Sequence, residues 1–250
     1  MAATYKYQDA IQIAAKQLNR NVEDEFAAAI ANMATNLIWM SFDWRETLAS
    51  LPPFYLIPDE QDHGPPAVSV PADFYGLRLA ALLLLNSDPP ARFDLSVIQD
   101  LRETHVRAMP HAIGYERARR AFRVYPRVPS NAACSTYIVQ GTYKKRPTKV
   151  LASTLLSTAL PFDDIYFDVW VEALKWAAWQ IAGDPRAGQV IHVKGQGSQY
   201  TGQLALCLER IAGMASAEGL ELGAPAIAPR EALAGPTGSS IYSPNSLLMA

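Results

Sequence analysis

Residues 71–85 read PADFYGLRLAALLLL. Pro71 suits the first turn of a helix, where a missing N–H is harmless and φ is already set. Asp73 adds negative charge where the helix dipole favours it. The apolar run Leu79–Leu85 then continues without a turn signal, so the stretch predicts a helix. That run is the longest purely apolar one in the chain and is too short to cross a bilayer.

Working outward, residues 41–74 read SFDWRETLASLPPFYLIPDEQDHGPPAVSVPADF. Six prolines break this zone into short extended pieces, Phe54–Ile57 and Ala67–Val70, with a bend at Gly64-Pro65. Upstream, Tyr7, Ala10, Ile11, Ala14, Ala15 and Leu18 recur at helical spacing, which predicts a helix over Tyr5–Leu18. Asn21 then offers an N-cap, and Glu23, Asp24 and Glu25 load the first turn of a second helix, Val22–Met40. Downstream, LSVIQDLRETHVRAM (95–109) reads as a helix, or a strand and then a helix. AFRVYP (121–126) alternates like a strand, and so does Tyr137–Tyr143; together they read as a β-hairpin or two neighbouring antiparallel strands. PFDDIYFDVWVEALKWAAWQIAGD (161–184) is a helix opened by Pro161, Asp163 and Asp164 and closed by Gly183. A further helix covers Ser198–Ala217, and after Gly219 the chain turns Pro- and Gly-rich.

The expected fold class is therefore α+β, mainly α with a small β unit: a bundle of long helices carrying an antiparallel β insertion. One domain spans 1–220, with β elements at about 51–72 and 120–150, and 221–250 forms an extended tail.

The formal net charge is −2, which argues against a protein that coats DNA through its phosphates. The two cysteines, Cys134 and Cys207, form no CxxC pair, so neither a disulfide framework nor a zinc site is expected. MAATYKYQDA lacks the layout of a secretion signal, and a soluble, intracellular product is expected.

His63, His105, His111 and His192 form no ligand pair, and no serine sits in a GxSxG elbow. Asp163, Asp164 and Glu172 could serve as acids or bases, but acids at a helix start are ordinary capping residues. Trp170, Trp176 and Trp179 suit a core or a subunit contact. No catalytic, metal or cofactor site is expected. The competing enzyme reading rests on the Gly-rich turn at 195–202. There Val190–Val193 leads into Gly195 and Gly197 ahead of a helix, the order of a dinucleotide-binding turn. Tyr200 occupies the third glycine position, and no βαβ unit follows. Cations gather at Arg117, Arg119, Arg120, Arg123 and Arg127 and again at Lys144, Lys145, Arg146 and Lys149. They suit a solvated strand edge, an acidic partner or passing DNA.

FRVYPRVPS (122–130), TYIVQGTYKKRPTKVL (136–151) and LPFDDIYFDVWVEALKWAAWQIAGDPRAG (160–188), in that order behind an αα pair, resemble the head-to-tail connector adaptors of tailed phages. These include the tail tubular protein A, or gatekeeper, relatives of short-tailed phages. The likeness covers about residues 5–185 and leaves out the Gly-rich turn and the tail. It implies a non-enzymatic virion protein of the neck, made in the host bacterial cytoplasm, with no cofactor and no membrane contact. A ring of about twelve copies would dock on the portal protein and extend the DNA channel to the next tail component, a nozzle, stopper or tail tube. It implies that Ile241, Tyr242, Pro244, Leu247 and Leu248 anchor the C-terminal segment in the portal. It also implies that Arg127, Lys144, Lys145, Arg146 and Lys149 form a basic rim facing the tail or the channel, where double-stranded DNA passes during ejection.

Overall fold

The computed structural model describes residues 5–18, 23–85, 91–99, 101–130, 137–193 and 197–220. The chain divides into two compact units, Thr47–Arg146 and the combination of Met1–Glu46 with Pro147–Ala250.

Thr47–Arg146 overturns the expected fold class. In place of a helical bundle with a small β insertion stands a curled, seven-stranded mixed sheet. Its strands are β1 (Leu48–Tyr55), β2 (Asp62–His63), β3 (Phe74–Leu84), β4 (Ala91–Val97), β5 (Ala112–Glu116), β6 (Ala121–Tyr125) and β7 (Tyr137–Lys145). Their order across the sheet is β1-β7-β3-β4-β5-β6-β2, antiparallel except between β4 and β5.

The stretch 71–85 is the source of the difference. It forms β3, the longest strand, flanked by β7 on one edge and β4 on the other. Successive strand residues point to opposite faces, yet Ala80, Ala81 and Leu82 are all buried. Both faces are covered there, so the strand needs no polar alternation and reads as a plain apolar run. Asp73 does not open a helix. Its carboxylate accepts the Tyr143 hydroxyl at 2.8 Å and its carbonyl accepts the Arg146 N–H at 2.6 Å, which fixes the start of β3 against the end of β7. The β3–β7 register shifts between Leu77 and Leu79. A Cβ on Gly141 would strike the Leu79 carbonyl, so only glycine admits this bulge, which leaves Leu79 70% exposed.

Two further expectations fail. β6 and β7 are not paired: β6 lies between β5 and β2, β7 between β1 and β3. Residues 101–111 hold no helix and cross as an extended strap. The core gathers Phe54, Phe74, Phe122, Val139 and Ile113, with Phe54 stacked on Phe122 at 5.1 Å and Phe74 edge-on to it at 5.5 Å.

The other unit follows the sequence more closely. It contains α1 (Tyr7–Leu18), α2 (Asp24–Ser41), α3 (Phe167–Ile181) and α4 (Gly202–Ala217). Asn21 lies outside the described residues, and Glu23 stands at the N-cap of α2 without a side-chain bond. α3 starts later than Pro161 suggests, because Asp163 caps a short 3₁₀ turn, Asp164–Tyr166, ahead of it. Gly183 closes α3 at φ 66°. α3 contacts α1, α2 and α4, so its apolar residues run around much of its surface. Tyr7 is edge-on to Trp170 at 5.4 Å, and its hydroxyl meets that of Thr35 at 2.6 Å. Burial lifts the Tyr7 phenol to about 12.

Val190–Val193 is a strand, β8, as expected, but it pairs with a second strand, β9 (Gly197–Tyr200), before α4 begins.

Candidate functional site

One corner of the sheet unit collects charge. The turn after β1 runs antiparallel to the end of β6: Asp59 N–H donates to the Val128 carbonyl at 3.2 Å, and Val124 N–H donates to the Gln61 carbonyl at 2.9 Å. The strap lies beside it. Arg127 N–H donates to the Val106 carbonyl at 3.0 Å, and Ala108 N–H donates to the Arg127 carbonyl at 3.1 Å. Buried Gln61 spans the gap. Its Nε2 donates to the Arg102 carbonyl at 2.9 Å, and its Oε1 accepts the Thr104 N–H at 3.0 Å. The strap is thus tied to the sheet through several of its backbone groups without belonging to a helix or strand.

Asp62 and Arg123 form the floor. Arg123 Nε and Nη2 grip the two Asp62 oxygens at 2.6 and 2.9 Å, a bidentate pair, while Nη1 donates to the Leu101 carbonyl at 3.1 Å. Arg119 adds a third bond to Asp62 at 2.5 Å and reaches Glu103 at 2.9 Å. Glu103 and Glu116 stand 3.6 and 3.8 Å from Arg123. Those guanidiniums, Arg123 first, hold the Asp62 carboxyl below its ordinary range. Asp59 is lowered too, by its 2.6 Å bond from Arg107, but that pair is exposed. Asp59, Glu60, Gln61, Asp62, Glu103, Arg119 and Arg127 line an open cleft of about 290 Å³. This array ties the strap, at Leu101 and Glu103, to the turn around Asp62 and to β6.

His63, next to Asp62 in β2, is fully buried beside Phe54. Its Nδ1 accepts the Ile57 N–H at 3.4 Å, which places the proton on Nε2, buried with no acceptor among the described residues. Burial pushes its pKa down to about 4, against a smaller upward pull from Asp62.

The expected basic rim is spread out. Arg127 lines the cleft. Lys144 is 0% exposed, Lys145 is half-buried, and Arg146 and Lys149 are exposed. Lys149 belongs to the helical unit and the other four to the sheet unit. The expected portal anchors Ile241, Tyr242, Pro244, Leu247 and Leu248 lie outside the described residues.

The remaining candidates have structural partners. Asp163 accepts the Ile165 N–H at 3.3 Å and Asp164 the Tyr5 N–H at 3.1 Å. Glu172 takes Lys175 at 2.7 Å and Gln203 at 2.5 Å. Cys207 is buried in the helical core, where its thiol is pushed up. In the Gly-rich segment, Gly197 opens β9 and not a helix. The helix begins at Gly202, φ 60°, where an added Cβ would come within 2.8 Å of the Gly188 Cα. The start of α4 therefore packs closely against Gly188 at Gly202, a position only glycine fills. Among the described residues no group of His, Cys, Asp and Glu could hold a metal ion, and no helix is long and apolar enough to cross a membrane.

Sequence reading found Arg119, Arg123 and Arg127 as a basic cluster but not Asp59, Asp62, Gln61 and Glu103, which answer them. The only local hint was the density of acids in PDEQD, residues 58–62. No family model matches the chain, and no curated protein matches it significantly.

Proposed function

We propose that this chain is a structural head-to-tail adaptor of a tailed phage, a virion neck protein without enzymatic activity. Copies of it form a ring that docks on the portal and continues the DNA channel toward the tail. The observation that carries this reading is the two-unit build. The chain leaves the helical unit at Glu46 and returns to it at Pro147, and the excursion between them has a sheet and a hydrophobic core of its own. An adaptor must hold several neighbours at once, and two separately cored units give each neighbour its own surface. Each unit also presents large apolar side chains to solvent: Leu156 and Ile165 on the helical one, Leu79 and Val106 on the sheet. Scattered exposed apolar residues are ordinary. Ile165 at 74% exposure is what a ring contact would cover. The near-neutral chain suits a conduit through which DNA slides, because strong phosphate contacts would retard it.

The test is sedimentation of the purified full chain with and without portal rings. The expected result is a multi-subunit assembly that co-sediments with portal. A protein that stays monomeric and separate from portal over the micromolar range overturns the reading.

A further inference from the structure

β4 is open along part of one edge. β3 covers its other side from Ala91 to Leu95, but β5 reaches it only at Ser96 and Val97. Ser96 N–H donates to the His111 carbonyl and Ile98 N–H to the Ile113 carbonyl, both at 2.9 Å. Backbone direction alternates along a strand, so Arg92 and Asp94 turn their N–H and C=O groups to that same side. No described strand lies there, because ahead of His111 the strap is bonded to Arg127 instead. The side chains are open too. Arg92 and Asp94 are exposed and stand 3.6 Å apart on one face, and Phe93 is exposed on the other.

We propose that this edge pairs with the same edge of a second copy, β4 antiparallel to β4 and centred on Phe93. The backbone leaves few registers. Only outward-facing residues can exchange bonds across the new pair, so residue 92 opposes 92, or 94 opposes 94, or 92 opposes 94. The first two set like charges opposite one another, which destabilises a pair. The third sets Arg92 against Asp94 of the second copy and Asp94 against its Arg92, each pair exchanging both of its N–H···O bonds. Phe93 then meets Phe93 of the second copy at the site between them, where side chains approach most closely. Charge ordinarily guards an edge against strand addition. Here it admits a strand with the opposite order of charge, and Arg-Phe-Asp reversed is that strand. A two-fold axis through the Phe93 pair makes the contact isologous, so it closes at a dimer.

The contact goes beyond the adaptor reading. A ring with a single rotation axis has no two-fold between neighbours, so this pairing belongs to free copies outside the ring. Its test needs no portal, and the two can fail separately. The full chain is followed by sedimentation equilibrium over a range of concentrations. The contact is far below the standard interface size, so dimers are expected only at about 0.1–1 mM. Arg92→Asp and Asp94→Arg, both at exposed positions, are each expected to weaken dimerisation at least about tenfold, because either one sets like charges opposite in both pairs. The double exchange, Arg92→Asp with Asp94→Arg, is expected to restore it. An equimolar mixture of the two single variants should pair where neither does alone. Amide exchange at residues 92 and 94 should slow as the concentration rises. A chain that stays monomeric up to about 1 mM overturns the proposal, whether its edge is idle or kept for another protein's strand. So does a dimer that neither single exchange weakens, or that the double exchange fails to restore. Loss of portal binding with this charge pattern intact would strike the adaptor reading alone.

Discussion

The helical unit and the charged corner of the sheet unit are held together by different physics. In the first, Trp44, Trp170, Trp176, Phe162 and Leu174 fill the space between helices, with polar contacts such as Tyr7 to Thr35 set among them. In the second, a strap with no secondary structure is held by one glutamine, three arginines and their carboxylates. Apolar packing is sensitive to lost volume and indifferent to pH, whereas a charged clasp loosens when acid reaches its carboxylates. Emptying the first, and discharging the second, should therefore give separate signatures.

The largest effect is expected from Trp170→Ala. Removing a fully buried indole costs about 3–5 kcal/mol. Hydrogen exchange should quicken through α1 to α4 while the β3 and β7 amides keep most of their protection. Equal acceleration in both units would mean that they open as one body and would break the comparison.

Acid should find the sheet unit first. The folded pKa of His63, about 4, lies below its unfolded value of about 6.5. The unfolded chain therefore binds a proton that the folded one refuses. Stability is full above about 6.5 and is lost as pH falls toward 4, by on the order of 3 kcal/mol. His63→Gln can still accept the Ile57 N–H and should flatten that slope in urea titrations between pH 7 and 4. A slope unchanged in the variant would remove His63 as its cause. Asp62, whose carboxyl is lowered by Arg123, acts later: its contribution is complete above the ordinary carboxylate range and disappears below it.

Much of the helical unit was legible in the sequence because its signals are local. The 3.6-residue spacing, acids at helix starts and Gly183 at a helix end each act within a few residues. β3 was illegible for a specific reason. A strand covered on both faces loses the alternation by which strands are recognised, and PADFYGLRLAALLLL keeps only its apolar content. The basic run misleads in the opposite way. Lys144 and Lys145 are adjacent in sequence, but strand alternation turns them to opposite faces and buries the first. The cleft was hidden because its pairs are distant along the chain: Asp62 and Arg123 are 61 residues apart, Gln61 and Arg102 41 apart. The arginines were visible as a cluster, but their carboxylates became identifiable only once β6, the turn before β2 and the strap were in place.

Asp62 and Asp59 give the finest test of the charged corner. Both accept an arginine at 2.6 Å, and both carboxyls are lowered by that contact. Geometry and burial both favour Asp62, which is gripped by two arginines where Asp59 has one. Asp62→Asn leaves Arg123, 9% exposed, without its bidentate partner. A fully buried pair broken this way costs about 3–5 kcal/mol. Glu103 and Glu116 remain within reach, so about 2–3 kcal/mol is expected, read as a lower denaturation midpoint with an unchanged m-value. Asp59→Asn should leave the midpoint where it is. Its partner is open to water, and salt screens such a pair. Asparagine also tolerates the left-handed backbone at φ 61° that residue 59 adopts, so the turn is kept. Raising the salt to 1 M should then narrow the gap between the two variants only slightly, because the Asp62–Arg123 pair is largely out of reach of ions. A gap that closed in salt would show that the floor of the cleft is as wet as its rim, and that charge, not burial, governs both.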